Sequence, residues 1–301
     1  MSAIQTLLRG SIDYAGLFPP AGLPMAPAVV NYAKYRAGPA AWALGRFIVP
    51  VSRLVEFEAN LPPDTPGPWR LGVLAGTELP ADLNQVAEFN LRHASRRGTH
   101  VLADVLEVKA DSESRIAEIL RLVPADLQAF IEIPVHPDPA DLVAAIGREG
   151  GRAKVRTGGV TPEAFPDTAQ LLRFLQACRR SGVPLKATAG LHHPVRAEYP
   201  LTYSPDSPRG TMFGFLNLFL AVAFLRAGMS EALVARVLEE GSAEVFQADA
   251  TGISWRDHRV DVALLRQVRS DGIISFGSCS FTEPIQDLES LHLIETPAHR
   301  A

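Results

Sequence analysis

Along nearly the whole chain, short apolar or β-branched runs alternate with longer stretches that repeat apolar residues at the helical period. This alternation predicts a parallel sheet whose strands are joined by helices. Eight such units within 301 residues favour a closed barrel over an open sheet, so we predict one α/β domain over residues 1–301, a (β/α)8 TIM barrel. The eight predicted strands are Ser11–Leu17, Arg46–Val51, Arg70–Ala75, His100–Val108, Gln128–Val135, Ala153–Thr157, Pro184–Ala189 and Ile273–Ser278.

A long interval separates the seventh and eighth predicted strands. Residues 192–272 comprise an irregular segment, an apolar run from Met212 to Leu225 and a helical pattern from Ser230 to Glu240. The apolar run is too short to cross a bilayer, and it suits either a buried helix or a contact within a homo-oligomer. Because long irregular segments in compact domains are usually functional loops, we predict an insertion of extra helices that includes a lid.

Composition excludes several classes of partner. Hydrophobic residues make up 47% of the chain and charged residues 21%, as in globular proteins with a large core. The net charge of −4 predicts no general attraction to nucleic acid or to an anionic membrane. The two cysteines form neither a disulfide framework nor a zinc-ligand pattern, and no signal peptide is visible over Met1–Arg9. We therefore expect a cytoplasmic protein with a small-molecule substrate.

Two lysines mark the ends of the sixth and seventh predicted strands. Barrel enzymes build their active sites at the carboxyl ends of the strands. Alternation places Lys154 and Arg156 on one face of the sixth strand, and Lys186 and Thr188 on one face of the seventh. Since helices cover the outside of a barrel, these charged side chains are expected to face the lumen near its mouth.

A lysine pair in a partly dry pocket suggests amine chemistry. Like charges and burial lower the pKa of a lysine, which leaves some neutral amine near pH 7. Neutral amine is the nucleophile that forms a Schiff base with a carbonyl compound. The alternative is that each lysine neutralises an interior carboxylate, such as Asp104 or Glu132.

The same region resembles the deoxyribose-phosphate aldolase group. In that family a Lys-x-x-Thr-Gly strand precedes a Lys-x-x-Gly-Gly strand by about thirty residues, as Lys154–Gly158 precedes Lys186–Gly190 here, with the lysines 32 positions apart. The segment Ser275–Ser280 is similar to the closing Phe-Gly-Ala-Ser-Ser strand of the family, and Ala103–Leu106 to its Asp-Val-Val strand. The resemblance covers about 70 of the 301 residues.

The resemblance implies a role for each matching residue. Lys154 would be the Schiff-base lysine, Lys186 the second lysine that tunes it, and Asp104 a carboxylate that relays protons. Gly158, Gly190 and Ser280 would fall in a phosphate-binding region. The implied activity is that of a class I aldolase or related lyase, which requires no metal and no organic cofactor.

Departures from the family pattern indicate a different substrate. Arg156 stands where the family has a small polar residue, Leu191 replaces a glycine, and Cys279 replaces a serine. Because arginine recognises carboxylate or phosphate through two parallel hydrogen bonds, we expect a small anionic carbonyl compound. The residues expected to contact it are Asp13, Glu132, Arg156, Thr157, Gly158, Gly159, Thr188, Gly190, Ser278, Cys279 and Ser280.

Two adjacent histidines, His192 and His193, follow the seventh predicted strand. They are candidate catalytic acids or bases, and with Asp13 and Glu132 they could hold a metal in a hydrolase or lyase. Cys279 could be a nucleophile with a histidine as base, although a small residue beside a bound anion is the favoured interpretation. A non-catalytic barrel that binds anions in the same pocket is a third alternative.

Strand parity also raises a conflict between two acidic residues. Asp104 and Glu107 are three positions apart, so one regular strand cannot direct both side chains into the lumen. The resemblance favours Asp104 inside, with Glu107 at the mouth only if the strand ends early.

Overall fold

The computed structural model describes residues 2–62, 68–94 and 101–295. Eight parallel strands form a closed barrel in which neighbours along the chain are neighbours in space, and the last strand closes on the first. This confirms the predicted α/β barrel; His100, in the fourth predicted strand, lies outside the described residues. The barrel strands are β1 (Ile12–Tyr14), β2 (Leu44–Pro50), β3 (Trp69–Leu74), β4 (Val101–Lys109), β5 (Gln128–Glu132), β6 (Arg152–Arg156), β7 (Leu185–Thr188) and β13 (Ile273–Ser278).

Helices surround the barrel, and local sequence determines where they begin and end. The helix of residues 168–181 starts at Asp167, whose side chain accepts from the backbone of Gln170, and stops at Gly182 in the left-handed region (φ 62°). The helices are α1 (Ala3–Leu8), α2 (Met25–Ala37), α3 (Leu54–Ala59), α4 (Leu79–Ala94), α5 (Glu113–Leu122), α6 (Ala140–Arg148), α7 (Thr168–Ser181), α8 (Phe215–Arg226), α9 (Glu231–Glu239), α10 (Val262–Asp271) and α11 (Thr282–Ser290).

A β-bulge in β4 resolves the conflict between its two acidic residues. Ala103 pairs with Leu71 of β3, but Val105 pairs with the very next residue of that strand, so Asp104 is an extra residue in the ladder. The extra residue reverses the alternation of side chains that follows it. Asp104 and Glu107 therefore both face the lumen, and the expectation that they exclude each other is wrong.

The interval between β7 and β13 contains both helices and strands. The apolar run forms α8, and α9 follows where a helix was predicted, but two antiparallel elements were not foreseen. A hairpin joins β8 (Ala197–Pro200) to β9 (Arg209–Met212), and a small sheet joins β10 (Phe246–Ala248), β11 (Gly252–Trp255) and β12 (His258–Asp261). Strands therefore accompany the helices in this interval.

Most of this interval covers the barrel wall instead of its mouth. Every residue from Phe215 to Leu225 is buried within the chain. Of the two alternatives for the apolar run, a buried helix or an oligomer contact, the structure therefore shows the buried helix. Phe215 stacks on Phe276 of β13 with ring centroids 4.9 Å apart, and Phe224 packs near Trp255 of β11. Among the described residues, no helix combines the length and apolar character needed to span a membrane.

A buried asparagine in α8 holds the loop that follows β7. The Asn217 amide oxygen accepts from the backbone N–H of Arg196 at 2.9 Å, and its amide nitrogen donates to the carbonyls of Val237 and Glu240 at 2.7 and 2.8 Å. Since Asn217 is fully buried, water cannot replace these partners. The contact ties α8 and α9 to the loop that starts at His192.

We predict that Asn217→Ala lowers the free energy of unfolding by about 3 kcal/mol, because it removes three hydrogen bonds that a fully buried side chain makes to the backbone. Urea denaturation at pH 7 measures the change. Asn60→Ala is the matched control: Asn60 bonds a backbone carbonyl at an exposed helix end, so its loss should change stability by less than about 0.5 kcal/mol. Equal effects of the two substitutions would contradict this account of Asn217.

Candidate active site

A cavity of about 810 Å³ opens at the carboxyl ends of the barrel strands. Lys154, Lys186 and Glu107 line its floor, and His192 and Cys279 line its wall. A second depression of about 920 Å³ adjoins it over β5, β6 and α5, and the two share Lys109, Arg115, Glu132 and Arg156 as lining residues. The polar groups of the barrel lumen thus open onto a space large enough for a small molecule.

The two lysines and three carboxylates form one chain of ion pairs across the floor. Lys154 Nζ lies 2.6 Å from Glu107 Oε2 and 2.7 Å from Glu132 Oε2. Lys186 Nζ lies 2.6 Å from the other Glu107 oxygen and 2.6 Å from Asp13 Oδ2. Glu107 therefore bridges the lysines, which are register partners on β6 and β7.

Carboxylates dominate the electrostatics of the floor. Burial alone would raise the pKa of Glu107, but Lys154 and Lys186 outweigh it and lower that pKa to about 2. Burial would likewise lower the pKa of Lys186, yet Asp13 and Glu107 raise it above its ordinary value. For Lys186 the expectation that like charges depress the pKa is therefore wrong, and both lysines pair with interior carboxylates, as the alternative stated.

Asp104 lies away from the lysines. Its carboxylate accepts from Arg46 Nε at 2.7 Å and from Arg46 Nη2 at 2.9 Å, and it also pairs with Arg70. These arginines belong to the starts of β2 and β3, at the amino end of the lumen. The expected proton relay between Asp104 and Lys154 is therefore corrected, because Glu107 occupies that place.

Asp13 is fully buried and anchors the floor. Its oxygens accept from the backbone N–H of Arg46 at 2.8 Å, from Ser275 Oγ at 2.7 Å and from Lys186. With its acceptor sites occupied, Asp13 holds Lys186 in place and does not line the cavity. The sequence-based expectation that it contacts substrate is corrected accordingly.

The structure brings only part of the predicted contact set to the cavity. Thr157 is buried and donates to the carbonyl of Ala189 at 2.7 Å. Gly158 and Gly190 approach each other beneath Phe165, where a Cβ on Gly190 would lie 2.7 Å from the ring and 3.1 Å from Gly158 Cα. These positions serve close packing. His193, Ser278 and Ser280 also lie outside the lining set, whereas the predicted residues that line the cavity are Glu132, Lys154, Arg156, Gly159, Lys186, Thr188, Gly190, His192 and Cys279.

A second polar cluster occupies the cavity wall around His192. Its Nδ1 lies 3.2 Å from Glu283 Oε2 and 3.9 Å from Cys279 Sγ, and the Tyr203 hydroxyl donates to Glu283 at 3.0 Å. Burial alone would lower the pKa of His192, but the contacts with Cys279 and Glu283 raise it to about 9. His192 is therefore positively charged at neutral pH, as a proton donor to substrate would be.

Sequence reasoning missed two members of this cluster. Glu283 lies in the first turn of α11, where an acidic residue is an ordinary helix-start signal and does not indicate a functional site. Tyr203 lies in the connection between β8 and β9. No local sequence pattern indicates that this connection returns to the mouth of the barrel. The adjacent His193 points elsewhere: its Nδ1 lies 2.6 Å from Asp287 Oδ2, and its ring stacks on Tyr199.

The donor set proposed for a metal is not assembled. Asp13 and Glu132 are engaged by lysines, and His193 by Asp287. Within residues 2–62, 68–94 and 101–295, no group of three or more histidine, cysteine or acidic side chains has an arrangement suited to a metal ion.

Comparison with protein-family models, with curated proteins and with solved structures found no match to this chain. The resemblance to the aldolase group thus remains an expectation from short motifs.

We predict that Glu107→Gln destabilises the fold by roughly 3–5 kcal/mol at pH 7, because an amide NH₂ then faces one of two buried ammonium groups. Glu107 contributes stability above about pH 4.5, and this contribution is lost as the pH falls towards about 2. The difference in unfolding free energy between wild type and variant should therefore shrink over that range. Glu132→Gln, at the more open cavity end, is the control and should cost less; a Glu107→Gln protein as stable as wild type contradicts the bridge.

We predict that protonated His192 stabilises the folded state. Its pKa is raised above the ordinary value, so its contribution is complete below about pH 6.5 and disappears as the pH rises through about 9. Relative to His192→Asn, the wild type should lose up to roughly 3 kcal/mol of unfolding free energy across this range. Denaturation at several pH values checks this, and Glu283→Gln should reduce the loss. A pH-independent difference would rule out the charged imidazole.

Proposed function

We propose that the protein is a Schiff-base lyase of the class I aldolase type, acting on a small anionic carbonyl compound, with Lys154 as the nucleophile. The observation that carries the proposal is the position of Lys154, on the floor of an open cavity between two carboxylates. An amine beside a proton acceptor and facing a cavity has the arrangement that nucleophilic catalysis requires.

Lys154 suits this role better than Lys186. Lys186 is held by fully buried Asp13, and its Nζ lies 5.5 Å above the ring of Phe130, which encloses it further. Lys154 has Glu132 as a partner, and Glu132 lies towards both depressions at the cavity opening. Lys186 is therefore assigned a positioning role, in which it holds Glu107 against Lys154.

The carboxylates beside Lys154 and the charged imidazole of His192 are assigned the proton transfers of the reaction. Glu107, with its pKa near 2, is a poor base, so Glu132 is assigned to accept a proton from the Lys154 ammonium group. The neutral amine then adds to the carbonyl carbon, and charged His192 supplies a proton as the oxygen leaves as water. The resulting iminium ion accepts the electron pair of the breaking carbon–carbon bond, and the hydroxyl proton of the departing fragment passes to a carboxylate. Protonation of the enamine and addition of water release the second product and restore Lys154.

Positively charged side chains at the rim of the cavity are assigned to bind the anionic group of the substrate. Arg156 is exposed at the end of β6 and lines both depressions, and it has no carboxylate partner among the described residues. Lys109 and Arg115 lie on the same side. A carboxylate or phosphate on the substrate would bind Arg156, with the carbonyl directed towards Lys154.

The pairing of both lysines favours a second candidate, a non-catalytic receptor for anions. Fully compensated lysines can be purely structural, because leaving a buried charge without its partner is costly. The two functions differ in whether a covalent bond forms at Lys154, and that difference is measurable.

We predict that borohydride reduction in the presence of small aldehydes and keto acids that carry a carboxylate or phosphate attaches an adduct to Lys154. The chain contains four lysines, and exposed Lys34, which does not line the cavity, serves as the internal control when the adducts are mapped by mass spectrometry. Turnover should fall by at least about 10³-fold in Lys154→Gln and by about 10²–10⁴-fold in His192→Asn. Adducts confined to Lys34 and Lys109, or full turnover in Lys154→Gln, would favour the receptor.

A further inference from the structure

The amino end of the barrel lumen carries an unbalanced group of arginines, remote from the cavity. Alternation from Lys154 directs Arg152 into the lumen at the start of β6, and Arg46 and Arg70 enter from β2 and β3. Phe130 lies between this group and the floor, since its ring is within 5.9 Å of the Arg152 guanidinium and 5.5 Å of Lys186 Nζ. The lumen is thus divided into two polar regions.

Asp104 is the carboxylate that pairs with two of these guanidinium groups, those of Arg46 and Arg70. One of its oxygens accepts from Arg46, and the other accepts from both Arg46 and Arg70, which leaves little capacity for another donor. Within the described ranges Arg152 forms no ion pair. Arg152 therefore adds to this end of the lumen a positive charge that no acidic side chain of the described residues pairs with.

The positive charge of Arg46 acts on Arg152, which has no acidic partner among the described residues. Burial lowers the pKa of Arg152, and repulsion from Arg46 lowers it further, which shows that the two guanidinium groups sense each other across the lumen. Arg46 shows the opposite: burial alone would lower its pKa, but Asp104 and Asp13 outweigh burial and raise it. An anion beside Arg152 would relieve the repulsion as Asp104 does for Arg46.

We propose that the amino end of the barrel is a second binding site, distinct from the cavity, for a phosphate group bound by Arg152 together with Arg70 and Arg46. A guanidinium group offers parallel N–H donors that match the oxygens of phosphate. A phosphate would place negative charge beside Arg152, which has no acidic partner among the described residues. The site does not depend on the lyase chemistry of Lys154.

Calorimetric titration of the full chain with inorganic phosphate, at ionic strength held constant with chloride, tests the site. At this site, apart from any phosphate held by Arg156, we expect saturable binding with a Kd on the order of 10⁻⁴ M. Arg152→Gln and Arg70→Gln should each weaken binding by about tenfold or more, a change of about 1.4 kcal/mol. Arg173→Gln is the matched control, because it removes an exposed charge of the same kind from α7, away from the cavity lining, and should leave this binding unchanged.

Arg152→Gln removes a half-buried charge repelled by Arg46, so it should fold with an unchanged or higher melting temperature, which circular dichroism checks. Lost binding in a folded Arg152→Gln protein supports the site. Absence of saturable binding in the wild type up to about 10 mM phosphate overturns it. Binding that Arg156→Gln abolishes and Arg152→Gln preserves also overturns it, because the phosphate would then occupy the cavity.

Discussion

Glu107 joins Lys154 and Lys186 through its two oxygens, and the polar interior of the barrel is organised around this contact. A buried ammonium group without a partner costs several kcal/mol, so a lysine can occupy the floor only where carboxylates from other strands meet it. Asp13 and Glu132 extend the bridge in both directions, which gives a chain of alternating charge across the lumen. Any ligand that reacts with Lys154 has to exchange one of these contacts for its own.

The lumen has three polar levels with different charge balance. At the floor, carboxylates outnumber ammonium groups and the pairs are short. At the rim, Arg156 has no acidic partner among the described residues, and at the amino end the charge of Arg152 is uncompensated. Attraction for anions therefore belongs to the two ends, whereas the floor is suited to proton transfer. This division supports separate roles for amine chemistry and anion recognition.

Much of the fold was predictable because it depends on local periodicity. The alternation of runs and helical stretches predicted the barrel, and strand parity correctly directed Lys154, Lys186 and Arg156 into the lumen. The sequence did not predict which carboxylates pair with each lysine, since Asp13 and Glu107 lie 173 and 79 positions away from Lys186 in the chain. The pocket was therefore expected to be cationic, although its floor is rich in carboxylates. The hairpin that brings Tyr203 to Glu283 escaped prediction for the same reason.

The sequence by itself determined the class of fold, the face on which each lysine lies and the strand end where chemistry is expected, because each of these follows from a repeat of two or 3.6 residues. Tertiary structure alone decided which carboxylate faces which lysine. A single extra residue at Asp104 shifts the register of β4 against β3, sends Asp104 to the arginines and turns Glu107 towards the lysines. Such a shift depends on how neighbouring strands pair when the barrel closes, and no pattern within β4 records it.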